Sequence, residues 1–302
     1  MDIPPEFRKC VVFVGWRNNV GTYHLAGTAF FVGKAIEGTD KGFIYLITAK
    51  HVIDNIRDKG CNKVCLRLNL KNHNAVWTET DIASWKFHPD ELADDVVDVA
   101  VMMTKLMPEL DHQVVPITNF ATDAFVEINI KVGLEIFLVG LFSNHSGQRR
   151  NIPIIRVGNI VAMPEEQVET SMGLMDAYLV EARSLGGISG SPVFVRFQGL
   201  AAHNTEKGAA IGLSDVYSLL GLMHGHWTLP RETEADAVPD IRGEKEVNMG
   251  IAIVVPASKI LEVITQPGIA NREKDALAQL RKQTEDENRP KTDSLLDDSI
   301  NL

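Results

Sequence analysis

The chain has 302 residues, of which 45% are hydrophobic and 23% are charged, a globular balance that excludes a wholly disordered protein. Its 30 basic and 40 acidic residues give a net charge of −10. Because an acidic chain repels phosphate backbones, we expect no nucleic-acid partner. The sequence contains no run of about 18 apolar residues, so we also expect no membrane-spanning helix and no membrane partner.

The cysteines are Cys10, Cys61 and Cys65, too few for a disulfide framework, and we expect them to be reduced structural thiols. Cys61 and Cys65 could form half of a metal site, but no second half with suitable spacing follows them. Residues 1–16 carry acids and prolines before the first apolar run, unlike a signal peptide. The sequence therefore predicts a cytoplasmic protein.

Short apolar runs rich in β-branched residues, with Gly, Asn and Asp between them, predict strands along most of the chain. The runs occupy residues 10–16, 26–33, 42–49, 63–70, 98–104, 133–141, 153–163, 177–182, 191–197, 217–227 and 249–256. They form two sets of about six, divided within residues 108–130. We therefore predict an all-β protein of two barrels, with domains at residues 1–115 and 116–265.

The C-terminal part of the chain changes character. Apolar residues at 257, 260, 261 and 264 predict a short amphipathic helix, and a weaker helical pattern covers residues 272–283. Residues 284–302 carry many charges and few large apolar side chains, which predicts a disordered tail within a C-terminal extension at 266–302. A second polar stretch, residues 230–248, predicts a surface loop.

Three short motifs are candidates for chemistry. Gly187–Pro192 (GISGSP) places Ser189 between small residues, His51 follows an apolar strand, and Asp98 begins another. Glycines around a serine let backbone N–H groups approach a developing oxyanion. Each motif alone is common in turns and strand ends. Together, in the order His, Asp, Ser within an all-β chain of two halves, they point to nucleophilic catalysis.

With these motifs the chain resembles the chymotrypsin-fold (trypsin-like) serine peptidases, and within them the Deg/HtrA-like branch. The matching segments, in the order of the family, are AGTAFFVG, YLITAKHVID, DVVDVAVM, GLEIFLVGL, RVGNIVAM, GGISGSPVF and GIAIVVPASKI. They span roughly residues 10–265. The resemblance implies two six-stranded antiparallel β-barrels with a short C-terminal helix, and a serine endopeptidase acting on proteins or peptides.

The resemblance also implies a role for each motif. Ser189 would be the nucleophile, His51 the general base and then the general acid, and Asp98 the residue that orients the imidazole. The backbone N–H groups of Gly187 and Ser189 would form the oxyanion hole. The alternative is a protease-fold module for binding or regulated self-cleavage that a partner protein activates. A non-catalytic structural domain is the weaker third interpretation, because no triad residue is substituted.

Two departures from relatives bear on regulation. Secreted trypsins carry an Asp before the nucleophile that pairs with a newly cut N-terminus, whereas this chain has Ile188, so we expect no activation of that kind. Typical Deg/HtrA proteases have a PDZ domain, which we do not expect after residue 265. The oligomeric state is left open.

The resemblance places substrate-binding residues at Arg183, His224, Gly225 and His226. Arg183, six residues before Ser189, would lie at the floor of the specificity pocket, and the two histidines would line one wall. Such a pocket favours Glu or Asp before the scissile bond; the alternative is that Arg183 faces solvent and the pocket accepts small aliphatic residues. The glutamyl endopeptidase branch also carries a His on this strand, in a register one residue different. We expect no cofactor and no metal, because the histidine pair lacks an evident third ligand.

Overall fold

The computed structural model describes residues 3–89, 95–182, 187–205, 208–230 and 246–287. The chain divides into two compact units, Met1–Ile264 and Thr265–Leu302. The site described below lies in the first unit. Among the described residues, no helix is both long enough and apolar enough to cross a membrane.

The first sheet has seven strands in the described part of the chain. They are β1 (Val11–Arg17), β2 (Tyr23–Ala35), β3 (Gly42–Thr48), β4 (Lys63–Asn69), β5 (Ala75–Asp81), β6 (Ala100–Thr104) and β7 (Val115–Pro116). The order is β5-β4-β1-β2-β3-β6, with β7 paired to β2. After β5, Lys86 and Val101 exchange backbone hydrogen bonds of 2.7 and 2.8 Å. The sheet therefore curls until its two ends meet.

The core of this sheet is made of large apolar side chains. Phe13, Phe30 and Tyr45 are fully buried, and burial of one such side chain contributes about 1.5–3 kcal/mol. Helix α1 (Lys50–Asp58) follows β3 and buries Val52, Ile53 and Ile56. This burial fixes the start of α1, which carries His51, against the sheet.

The second sheet is a closed barrel of six strands in the order β12-β15-β14-β13-β8-β9. Its strands are β8 (Glu135–Gly140), β9 (Ile154–Ala162), β12 (Tyr178–Glu181), β13 (Pro192–Thr205), β14 (Gly208–Pro230) and β15 (Glu246–Pro256). Helix α2 (Asp123–Asn129) precedes β8, and the short strands β10 (Val168–Thr170) and β11 (Gly173–Met175) form a separate hairpin. The strands β13 and β14 are much longer than predicted. The prediction followed apolar runs, and it stopped short because the outer parts of both strands carry small and polar residues.

Two helices end the described chain. Helix α3 (Ala257–Thr265) buries Ala257, Ile260, Val263 and Ile264, close to the predicted positions. Helix α4 (Pro267–Glu287) begins earlier and ends later than predicted, so the first four residues of the predicted disordered tail are helical. The rest of that tail, residues 288–302, and residues 231–245 of the predicted surface loop lie outside the described residues. Pro230 and residues 246–248 belong to strands, not to the loop.

The fold class predicted from the sequence is confirmed: the chain is mostly β, with a closed six-stranded barrel, a curled sheet and a C-terminal helix. The first sheet differs from a regular six-stranded barrel, because β7 adds a parallel strand and the Lys86–Val101 bridge joins its ends. The domain boundaries at residues 115 and 265 stay a prediction.

Candidate active site

His51 lies in the first turn of α1. The first N–H groups of a helix have no partner within the helix, and the preceding residue, Ala49, has no side chain that could cap them. The backbone N–H of His51 donates instead to Asp98 Oδ1 at 2.8 Å. The carboxylate therefore caps the helix and fixes the position of the histidine at the same time.

Asp98 lies two residues before β6 and is fully buried. Its Oδ2 lies 2.7 Å from His51 Nδ1, and the His51 side chain remains 22% exposed. Asp95, three residues earlier, bonds instead to Gln167 through a 3.0 Å contact from Gln167 Nε2. Asp98 is thus the carboxylate that contacts His51, and its catalytic role stays a prediction.

The pKa values of this pair move apart. Burial would raise the pKa of Asp98, but the charge of His51, the hydrogen bonds from His224 and His51 and the charge of His224 hold it well below its usual range. Burial would lower the pKa of His51, but the charge and hydrogen bond of Asp98, and the charge of Asp54, raise it above its usual value. The carboxylate is therefore ionised at neutral pH, and the imidazole takes up a proton more readily than a free histidine.

The side chain of His224 also contacts Asp98. Its Nδ1 lies 2.6 Å from Asp98 Oδ2, and only 10% of the side chain is exposed. The register of β14 against β15 shifts between Met223 and Gly225, so His224 is the extra residue of a β-bulge. A bulge redirects side chains, and here His224 is buried whereas His226 is exposed.

Ser189 lies in a tight turn between β12 and β13. Gly187 and Gly190 have φ values of 100° and 81°, in the region that favours glycine. A Cβ atom on Gly190 would collide with the carbonyl oxygen of Thr28 and with Thr48 Oγ1. The two glycines therefore let the serine turn pack directly against the first sheet.

Thr28 of β2, fully buried, connects this turn to both sheets. Its backbone N–H donates to the Ser189 carbonyl at 2.9 Å, and its hydroxyl donates to the Gly187 carbonyl at 3.1 Å. The same hydroxyl accepts from the Leu141 N–H at 2.9 Å, and its carbonyl accepts from Thr48 Oγ1 at 2.7 Å. Thr28 lies in the matching segment AGTAFFVG but is not among the residues predicted to form the site.

The Ser189 hydroxyl donates to the backbone carbonyl of His224 at 3.1 Å. The hydrogen bonds of the described residues do not include one between Ser189 Oγ and the His51 ring. Within the same described residues, the backbone N–H groups of Gly187 and Ser189 donate to no acceptor. The serine side chain is thus held by a carbonyl, and the oxyanion hole stays a prediction.

The predicted substrate-binding residues have different surroundings. Arg183 lies outside the described residues. His224 Nδ1 faces Asp98, Gly225 has open space beside its Cα, and His226 is exposed. Their role in substrate binding stays a prediction. The contact of His224 with Asp98 was not predicted. The one hint in the sequence was the position of this histidine along its strand, which differs by one residue from that expected for a glutamyl endopeptidase.

His51, Asp98 and His224 are residue types that could hold a metal ion, and their ligand atoms lie within 4.8 Å of one another. In a tetrahedral zinc site with bonds of about 2.0–2.1 Å, however, two ligand atoms lie about 3.3 Å apart. The two N···O distances here are 2.7 and 2.6 Å, which are hydrogen-bond lengths. Hydrogen bonds to Asp98 Oδ2 therefore account for the arrangement of these three side chains.

No protein-family model and no curated protein matches the chain. By structure, the chain is similar to the MamO protease domain from Magnetospirillum magneticum in its apo form, with a TM-score of 0.50. The two share 13% sequence identity over 87% of this chain and 99% of that domain. A likeness at this identity shows the fold alone, and the fold is that of a chymotrypsin-like protease domain.

Proposed function

We propose that the chain is a serine endopeptidase that hydrolyses proteins or peptides through His51, Asp98 and Ser189. The observation that carries the proposal is the position of His51, whose ring and backbone both bond to one buried carboxylate while the ring remains partly exposed. A carboxylate can only accept hydrogen bonds when ionised, so Nδ1 carries the proton. The lone pair of the neutral imidazole is then on Nε2, where a base needs it.

The reaction follows from these groups. Ser189 Oγ attacks the carbonyl carbon of the peptide bond while His51 Nε2 takes the hydroxyl proton. The carbonyl oxygen becomes an oxyanion, for which the N–H groups of Gly187 and Ser189 are available. His51 then gives its proton to the leaving amine as the C–N bond breaks, which leaves an acyl group on Ser189. Water, activated by the same histidine, releases the acid and restores the hydroxyl.

One observation favours the alternative, a protease-fold module that a partner activates. Ser189 Oγ is held by the His224 carbonyl at 3.1 Å, and attack requires rotation of the side chain toward His51. A neutral hydrogen bond contributes about 0.5–1.5 kcal/mol, so this rotamer would lower the rate by up to about tenfold. A partner or substrate that shifts the rotamer would raise the rate by that factor. The same rotamer is compatible with slow turnover of foreign proteins.

A fluorophosphonate probe tests the proposal. We expect covalent labelling of Ser189, located by mass spectrometry, and no labelling of Ser189→Ala or His51→Ala. Ser214→Ala, which removes a hydroxyl from a remote part of β14, should label like the wild type. Absence of labelling in folded wild-type protein, with and without cell extract, would contradict the proposal. Labelling that requires extract would support the partner-activated form.

Two proposals from the sequence concern the residue before the scissile bond. An Arg183 side chain in the pocket would select Glu or Asp, whereas an outward Arg183 would leave a pocket for small aliphatic residues. Digestion of a peptide library decides between them. Cleavage after Val, Ala or Thr that Arg183→Ala does not change would exclude the acidic pocket.

A further inference from the structure

The Asp98 carboxylate serves two histidines. Its Oδ2 lies 2.7 Å from His51 Nδ1 and 2.6 Å from His224 Nδ1, while Oδ1 accepts the backbone N–H of His51. Because an ionised carboxylate has no proton to give, each of the two Nδ1 atoms must carry one. His224 is therefore a donor to the same oxygen that orients the proposed catalytic base.

The backbone holds His224 in this position. It is the extra residue of the bulge in β14, its carbonyl accepts from Ser189 Oγ, and its ring lies edge-on to that of His51 with 5.3 Å between the ring centres. One residue thus contacts all three members of the proposed triad.

We propose that His224 is a positioning residue for the peptidase reaction: it holds Asp98 Oδ2 toward His51 and lowers the pH at which His51 becomes a free base. This inference rests on the proposed function for its catalytic consequence. Its structural part, the second hydrogen bond to Asp98, does not depend on turnover.

The direction of the effect follows from the charges. Among the described residues, Asp98 and Asp54 act on His51, and His51 and His224 act on Asp98. A donor from His224 withdraws negative charge from Oδ2, so the carboxylate stabilises a His51 imidazolium less. Loss of His224 should therefore make His51 hold its proton to higher pH.

Two variants of His224 distinguish the effect of its Nδ1–H donor from the effect of the volume of its ring. His224→Leu fills the space without a donor, and His224→Asn offers an amide N–H near the place of Nδ1. We expect an NMR titration of His51 to move up by about one pH unit in the Leu variant and to stay near the wild-type midpoint in the Asn variant. The rate at which the fluorophosphonate probe labels Ser189 should fall on the order of 10- to 100-fold in the Leu variant. In the Asn variant most of the wild-type rate should return.

The wild-type protein provides a second measurement that needs no variant to fold. We expect two strongly deshielded Nδ1 protons in its NMR spectrum, one from each histidine that bonds to Asp98. His112→Leu is the matched control, because it removes another half-buried histidine, whose Nδ1 contacts the Leu110 carbonyl. It should leave the His51 midpoint unchanged.

Two results would overturn the inference. One is a single deshielded Nδ1 proton in the wild type; the other is a His51 midpoint that is the same in the wild type and the Leu variant. Two deshielded protons and a shifted midpoint in a protein that no probe labels would instead refute the peptidase function and leave the role of His224 toward His51 standing. The two failures are thus distinct.

Discussion

His51 and Asp98 set the pH range in which the site can work. The pKa of His51 is raised above its usual value, although burial opposes this, because the charge and hydrogen bond of Asp98 favour the imidazolium. The base must be neutral to accept a proton from Ser189. Activity should therefore be low below the pKa of His51 and rise as the pH passes through it.

We expect the midpoint of kcat/KM against pH to lie above the ordinary histidine value of about 6.5. The measurement is the hydrolysis rate of a peptide substrate from pH 5 to 9, with stability checked at each pH. A midpoint clearly below the ordinary value would mean that burial outweighs the carboxylate.

Replacement of Asp98 tests the tautomer of His51. In Asp98→Asn the amide can present N–H to His51 Nδ1, which then accepts, and the proton moves to Nε2. We expect turnover to fall by about 10⁴-fold while the circular dichroism spectrum stays that of the wild type. Asp95→Asn, which alters a carboxylate bonded to Gln167, is the matched control, and an equal loss there would refute the assignment of Asp98.

At the scale of elements, β2 and the serine turn depend on each other through Thr28. Its hydroxyl donates to Gly187 and accepts from Leu141, so its loss leaves a partly buried carbonyl and a buried N–H without this partner. Unpaired buried polar groups cost about 1–3 kcal/mol each. The same loss frees the turn that carries Ser189.

We expect Thr28→Val, similar in shape but without a hydroxyl, to lower the free energy of unfolding by about 2 kcal/mol or more and to slow labelling of Ser189. Thr28→Ser keeps the hydroxyl and should retain most of the labelling rate. Chemical denaturation and probe kinetics measure the two effects. Equal labelling rates in the Val and Ser variants would show that the hydroxyl does not hold the turn.

Gly190 tests the close approach of the turn to the first sheet. A methyl group there would meet Thr28 and Thr48 and would also face a φ of 81°. Gly60→Ala is the matched control, since its φ is 76° but nothing lies within 4 Å of the added atom. The backbone strain alone costs about 1–2 kcal/mol. We expect Gly190→Ala to lose clearly more stability than the control in thermal unfolding, and an equal loss would remove the packing argument.

At the scale of the whole molecule, the linear motifs predicted the fold and the three residues of the proposed triad. His51, Asp98 and Ser189 were identifiable because each is attached to a recognisable strand end or turn. His224 was assigned to a pocket wall because a bulge changes the surroundings of a side chain without changing the apolar pattern. Thr28 was missed because its partners, Gly187 and Leu141, are more than 100 residues away in the chain.

Contacts between residues far apart in the chain also hold the loop at residues 143–151 to the first sheet. The guanidinium of the buried residue Arg67 donates to the carbonyls of Gly147 and Gln148 at 2.8 and 2.7 Å. The buried Asn151 side chain donates to the Arg67 carbonyl at 2.6 Å. The planar fork of an arginine contacts two acceptors at once, which a lysine ammonium does less well. Arg67 thus connects a loop of the second half to β4.

We expect Arg67→Met to lower the free energy of unfolding by about 1.5–3 kcal/mol, because it removes the hydrogen bonds from a charged donor to the carbonyls of Gly147 and Gln148. Arg67→Lys should recover part of this loss. Hydrogen exchange should show faster exchange in residues 143–151 of the Met variant. Unchanged exchange there would mean that other contacts hold the loop.

The role of Thr28 has a consequence for the newly made protein. During synthesis, His51 and Asp98 leave the ribosome long before Ser189. The serine turn is held against β2 by Thr28, which donates to the carbonyls of both Gly187 and Ser189. A nascent or partly unfolded chain therefore contains every residue of the proposed triad but no assembled centre, so the proposed peptidase would not cleave neighbouring nascent polypeptides.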